Sequence, residues 1–128
     1  KQPEKTTGEL VQMVRNIPES ERNPKMEEIE RMTYEMKEVL KRKDYRRMKE
    51  IINRTNQILS SFGLSIPETE QIYEKVLSLG GAAKMCGACY GGVMLTWHEH
   101  PEEVIEAIKD LGFQPFEADL AVVGVRVE

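Results

Sequence analysis

Apolar residues recur every three or four positions from Met26 to Phe62, and no other feature of the 128-residue chain constrains its fold as much. Ile29, Met32, Met36, Val39 and Leu40 form one stripe, with Lys and Glu filling the gaps. Tyr45, Met48, Ile51, Ile52, Thr55, Ile58, Leu59 and Phe62 form a second. A helix turns every 3.6 residues, so each set runs along one side of a helix. The break at Lys43-Asp44 is short, and two helices joined by a short connection pack antiparallel. Gly63 supplies a C-terminal stop. Upstream, Thr6 or Thr7 suits the N-cap of a helix that carries Leu10, Val11 and Val14 and ends near Pro18, followed by a polar loop holding Pro18 and Pro24. Downstream, Ser65-Ile66-Pro67-Glu68 reads as cap, first turn and start of a further helix, with Ile72, Tyr73, Val76 and Leu77 inward.

The pattern changes at Gly80-Gly81. Residues 82–86 are short and small-sided, and residues 92–97 alternate, with Val93, Leu95 and Trp97 on one face, so two strands flank a glycine-rich loop. Pro101, Glu102 and Glu103 open a helix over 101–111 with Val104, Ile105, Ile108 and Leu111 inward and Gly112 beyond its end. Residues 120–127 predict a closing strand with Val123, Val125 and Val127 on one face. The sum is an α+β fold, an antiparallel sheet packed with several helices, in one domain spanning 1–128. A hydrophobic fraction of 40% supports one core of this size. Charged residues make up 31% with a net charge of −4, and both signs interleave along the helices. That balance offers no electrostatic basis for binding nucleic acid or a membrane. No apolar run reaches the roughly 18 to 20 residues that span a bilayer, and the first residues lack a basic segment followed by an apolar one, so the expected location is cytoplasmic. The chain opens at Lys1 with a helical signal a few residues later, which reads as a piece of a longer protein.

Chemistry concentrates between Gly80 and Leu95. Gly87, Gly91 and Gly92 allow positive φ and close backbone approach, and successive amides in such a turn form a nest for anions such as phosphate. The same glycines also suit a plain tight turn between strands. Cys86-Gly87-Ala88-Cys89 has the spacing of a redox dithiol or of half a metal site, with His98 and His100 as further ligands. A thioredoxin-like dithiol, however, places its first Cys at a helix N-terminus, whereas here a glycine loop and a strand follow. Alternation also turns His98 and His100 to opposite sides. We therefore expect no metal site, and read the cysteines as small buried or half-buried residues. Met26, Met32, Met36 and Met48 suit core packing between the long helices better than a peptide groove.

The whole stretch resembles the third motif of the GHMP kinases, in which a small-residue strand with Lys leads through Ser or Thr into Gly-Ala-Gly-x-Gly-Gly and an apolar strand. Thr7-Gly8-Glu9-Leu10-Val11 resembles the Thr-x-Glu-Leu-Val that opens the C-terminal half of the archaeal mevalonate kinases. Asn53-Arg54-Thr55-Asn56-Gln57-Ile58-Leu59, with Gly63-Leu64-Ser65 after it, resembles the Asn-rich helix and loop of that branch. The resemblance implies a ferredoxin-like C-terminal domain that faces an N-terminal ATP-binding domain across a cleft. It implies an ATP- and Mg2+-dependent kinase acting on a hydroxyl of a small acid or sugar. Lys84, Cys86, Gly87, Ala88, Cys89, Tyr90, Gly91 and Gly92 inherit a place at the nucleotide phosphates, and Asn53 and Asn56 a place on the substrate side. Beyond the N-terminal domain and the substrate, a homodimer is compatible with the resemblance. It puts no catalytic residue in this chain, because the Gly-Leu-Gly-Ser-Ser cradle and the catalytic Asp and Lys belong to the other half. Two positions depart from the motif. Cys86 replaces a hydroxyl with a weaker thiol donor. Cys89 replaces a Gly, and a positive φ there would strain the backbone by about 1 to 2 kcal/mol. Tyr90 has an aromatic counterpart in galactokinases. A non-catalytic binding or regulatory domain on this scaffold, and a zinc module built on the Cys-x-x-Cys, stand as alternatives.

Overall fold

A computed structural model describes residues 2–118. The elements are α1 (Thr7–Arg15), α2 (Glu19–Lys41), α3 (Tyr45–Ser61), α4 (Pro67–Ser78), β1 (Ala82–Met85), β2 (Met94–Trp97) and α5 (Pro101–Asp110). The fold is α+β, with a two-stranded antiparallel sheet and five helices among the described residues. The strand expected at 120–127 lies outside the described residues. No helix among the described residues is long and apolar enough to cross a membrane.

Thr6 caps α1 through a reciprocal box. Its hydroxyl accepts from the Glu9 amide at 3.2 Å, and the Glu9 carboxylate accepts from the Thr6 amide at 2.6 Å. The loop expected around Pro18 and Pro24 is instead the first two turns of α2, with Pro18 as N-cap and Pro24 inside the helix. Proline removes one hydrogen bond, here the one to the carbonyl of Ser20, which is exposed and open to water. Acidic Glu19 and Glu21 favour the positive end of the helix. Arg22 fixes the junction by donating to the α1 carbonyls of Val14 at 3.4 Å and Arg15 at 3.0 Å.

Asp44 caps α3 by accepting from the Arg47 amide at 3.1 Å. The helix then runs back along α2, and Met32 and Val39 bury with Met48, Ile51, Ile52 and Ile58. Two forked ion pairs flank this seam. Arg54 donates to both oxygens of Glu28 at 2.6 and 2.9 Å, and Arg47 donates to Glu35 at 2.5 and 2.7 Å. Leu40 and Leu77, both expected inward, are 54% and 45% exposed. Each follows the fully buried residue of its pair, Val39 or Val76, and one residue is about 100° of helix rotation, which turns the second side chain off the stripe.

The start of α4 also differs in detail. The N-cap is Ile66 rather than Ser65, and the capping bond comes from Thr69, whose hydroxyl accepts from the Ile66 amide at 2.9 Å. Ser65 instead meets the Ser60 hydroxyl at 3.1 Å.

β1 is the centre of the molecule. Ala82, Ala83 and Met85 are buried, and β1 packs against α3 and α4 while pairing with β2 in the register Ala82↔Trp97 to Met85↔Met94. One core cluster lies among α1, α2, α3 and β1. The other joins Ala83 to Tyr73, Val76, Val104 and Ile108. Close packing explains Gly81, where a Cβ would stand 2.7 Å from the Trp97 carbonyl oxygen and 2.9 Å from Val76. On β2 the face of Val93 and Leu95 is the exposed one, and Met94 packs into both clusters. Helix α5 starts at Pro101 after His100, as the proline and the two acids predict.

Candidate phosphate-binding loop

Two asparagines of α3 set the position of β1. Asn53 accepts from the Ala83 amide at 3.1 Å and donates to the Gly81 carbonyl at 3.3 Å, and Asn56 accepts from the Met85 amide at 3.0 Å. Backbone groups along a strand point alternately to its two edges, and the opposite edge of β1 pairs with β2. The asparagines therefore occupy the edge that a further strand would otherwise fill. Their spacing of three places both on one helix face. Asn56 is 2% exposed, so a buried strand amide depends on it.

β1 leads into the loop at residues 86–92. The Cys86 amide donates to Val93 at 3.1 Å, the Cys89 amide closes a turn on Cys86 at 3.3 Å, and the Tyr90 amide reaches the Leu64 carbonyl at 2.8 Å. The last bond ties the loop to the segment that follows α3. Gly87 has φ of 64°, and four consecutive residues, Cys89, Tyr90, Gly91 and Gly92, have φ of 68°, 59°, 114° and 74°. Cys89 thus takes the left-handed conformation that its glycine counterpart in the motif would take freely, and Tyr90 joins it. Strain of about 1 to 3 kcal/mol at each such residue persists only where the surroundings dictate it. Here the Leu64 bond and the burial of Cys89, 4% exposed, supply that constraint.

With those three amides engaged, the amides of Gly87, Ala88, Gly91 and Gly92 donate no hydrogen bond to protein among the described residues. Gly87 and Gly92 are exposed, and a Cβ at either would meet nothing within 4 Å, which leaves open space beside the backbone. No Asp or Glu occurs between Gly80 and Trp97, whereas Lys84 does. Lys84 is half-buried and donates to the Met85 carbonyl at 2.8 Å, which holds its ammonium beside the end of β1. Lys5 stands over the Tyr90 ring at 5.7 Å. Amides with no protein partner among the described residues, a lysine, and a stretch of chain without an acid suit an anion. An apolar groove of about 560 Å3 adjoins it, walled by Leu10, Val14, Leu59 and Leu64 and floored in part by Gly87, Ala88 and Cys89.

The cysteines differ in setting. Cys86 is half-buried, and Cys89 is buried, which pushes its thiol pKa up, with Lys84 acting in the opposite direction. His98 is not available as a metal ligand. One ring nitrogen, Nε2, lies 2.6 Å from the Leu79 carbonyl, and the other, Nδ1, accepts from the His100 amide at 2.8 Å. A carbonyl only accepts, so Nε2 carries the proton, and neither nitrogen has a lone pair to spare. No group of three or more His, Cys, Asp or Glu with metal-binding geometry occurs among the described residues. His98 instead links the end of β2 to the end of α4.

The loop's tie to Leu64 and the asparagines' bonds to β1 were not foreseeable from spacing. The Asn-x-x-Asn repeat on a stripe otherwise apolar was the available signal, since a buried amide needs partners.

Residues 36–115 match the family described as GHMP kinases C terminal, and the chain belongs to that family as its C-terminal domain. A solved structure titled "Crystal structure of mevalonate kinase" superposes with a TM-score of 0.68 and 26% sequence identity, covering 89% of this chain and 34% of that one. The chain thus spans about a third of the length of that kinase. No curated protein sequence matches it.

Proposed function

We propose that this chain forms the C-terminal half of an ATP-dependent small-molecule kinase, mevalonate kinase-like and of the archaeal type, that phosphorylates a hydroxyl of a small acid or sugar. The observation that carries the proposal is the loop at 86–92, with four successive residues at positive φ and, at Gly87, Ala88, Gly91 and Gly92, amides that donate no hydrogen bond to protein among the described residues. Those amides would donate to the nucleotide phosphates, and Lys84 would add positive charge. ATP would supply the phosphoryl group. The groups needed to bind Mg2+ and to orient the attacking hydroxyl would come from an N-terminal kinase domain across the cleft. A substrate-side role for Asn53 and Asn56 would be exerted through β1, because the polar contacts that they make are to its backbone.

Gly91→Val in the intact kinase tests the reading. Gly91 is buried, and a β-branched residue there at φ of 114° strains the loop. The expected result is a kcat/KM for nucleotide lower by about tenfold or more, equivalent to about 1.4 kcal/mol. Mg-ATP should also slow alkylation of Cys86. A folded variant with unchanged kinetics, together with alkylation indifferent to nucleotide, would reduce the loop to a turn and favour a non-catalytic domain.

A further inference from the structure

We propose that Cys86 and Cys89 form a redox-modifiable pair that closes into a disulfide across the loop. The two residues bracket a hydrogen-bonded turn, with the Cys89 amide 3.3 Å from the Cys86 carbonyl. Such a turn holds its end Cα atoms within about 7 Å, the separation beyond which a disulfide cannot form without backbone movement. No strong partner holds either sulfur in place. Cys86 lies 3.9 Å from the Lys84 carbonyl and Cys89 lies 3.8 Å from the Gly87 carbonyl, and a thiol is a weak donor. Exposure divides the roles between them. Half-buried Cys86 is the sulfur that an oxidant reaches, and buried Cys89 is the thiol that resolves the product.

With hydrogen peroxide as oxidant, the Cys86 thiolate attacks one oxygen and the O–O bond breaks. Cys86 becomes a sulfenic acid, and the departing hydroxide takes up the thiol proton as water. The Cys89 sulfur, losing its proton, then attacks the Cys86 sulfur. The S–O bond breaks, a second water leaves and the S–S bond forms. The two sulfurs have lost two electrons, and peroxide has gained them. A dithiol reductant reverses the change by exchange. The ring so formed contains Gly87 and Ala88, whose amides donate no hydrogen bond to protein among the described residues, so oxidation would alter nucleotide binding. That consequence rests on the phosphate-loop reading, whereas disulfide formation does not.

The experiment treats the chain with hydrogen peroxide, counts free thiols after denaturation and maps the peptide containing residue 86 by mass spectrometry. The expected result is loss of both thiols, a peptide lighter by two hydrogens, a chain still monomeric without reductant, and full recovery with dithiothreitol. Cys86→Ser and Cys89→Ala should each abolish the loss of two hydrogens. Two thiols persisting, Cys86 alone advancing to the sulfinic acid, or chains crosslinked to one another would overturn the proposal. If the disulfide fails to form, nucleotide protection of Cys86 is untouched. If the phosphate-loop reading fails, the disulfide still forms.

Discussion

Asn56 shows how one side chain can govern a site that it does not line. Its amide oxygen takes the Met85 amide at the last residue of β1, immediately before the loop. Asn56→Ala would leave a buried N–H without a partner, which costs about 1 to 3 kcal/mol. The expected outcome is a lower urea midpoint with an unchanged slope, and Asn56→Asp, which keeps an acceptor, should recover part of the loss below its own pKa. Equal stability of wild type and Asn56→Ala would show that water replaces the amide. The local sequence announced the glycines of the loop but not the backbone of Cys89 and Tyr90. Left-handed φ is disfavoured for both residue types, so local preference points the other way. What imposes it is a bond to Leu64, over twenty residues upstream. At Cys89 the conformation was legible only through the resemblance, as a place where the motif carries Gly; at Tyr90, where the motif has no Gly, it was not legible at all.

Among the elements, α2 and α3 were the easiest to read and α2's beginning the hardest. Two long stripes of the same period leave little choice but an antiparallel pair, whereas Pro24 argues locally for a loop and is overruled by the tie from Arg22 to α1. The phase within a stripe is less legible than its period, which is why Leu40 and Leu77 turned outward. The seam between these helices should respond to acid. Hydrogen bonds from Arg54 and Arg47 hold the Glu28 and Glu35 carboxyls below the usual carboxylate range. A depressed folded pKa contributes stability above the unfolded value of about 4.3, and that contribution fades as pH falls through the folded pKa. Both pairs face solvent, so the effect is small and screened by salt. Melting temperatures measured from neutral pH down to about pH 3 should fall, and the Glu28→Gln, Glu35→Gln double variant should show a shallower fall, most clearly at low ionic strength. Identical profiles would mean that the pairs contribute nothing net.

At the scale of the whole molecule, the proposed function gives the loop a place at the phosphates and assigns the catalytic groups to an N-terminal domain. The expected result of an ATP-consumption assay on the isolated chain, with a panel of hydroxy acids and sugars, is no turnover. Activity that vanishes on mutating this chain would contradict that expectation. An open strand edge is a template on which other chains can assemble, and proteins commonly protect such edges. Here Asn53 and Asn56 occupy the edge of β1 that faces α3, and a helix lies against it. The same two amides that align the strand for the loop therefore also deny it to a stray β-segment, so loosening α3 would invite aggregation as well as displacing the loop.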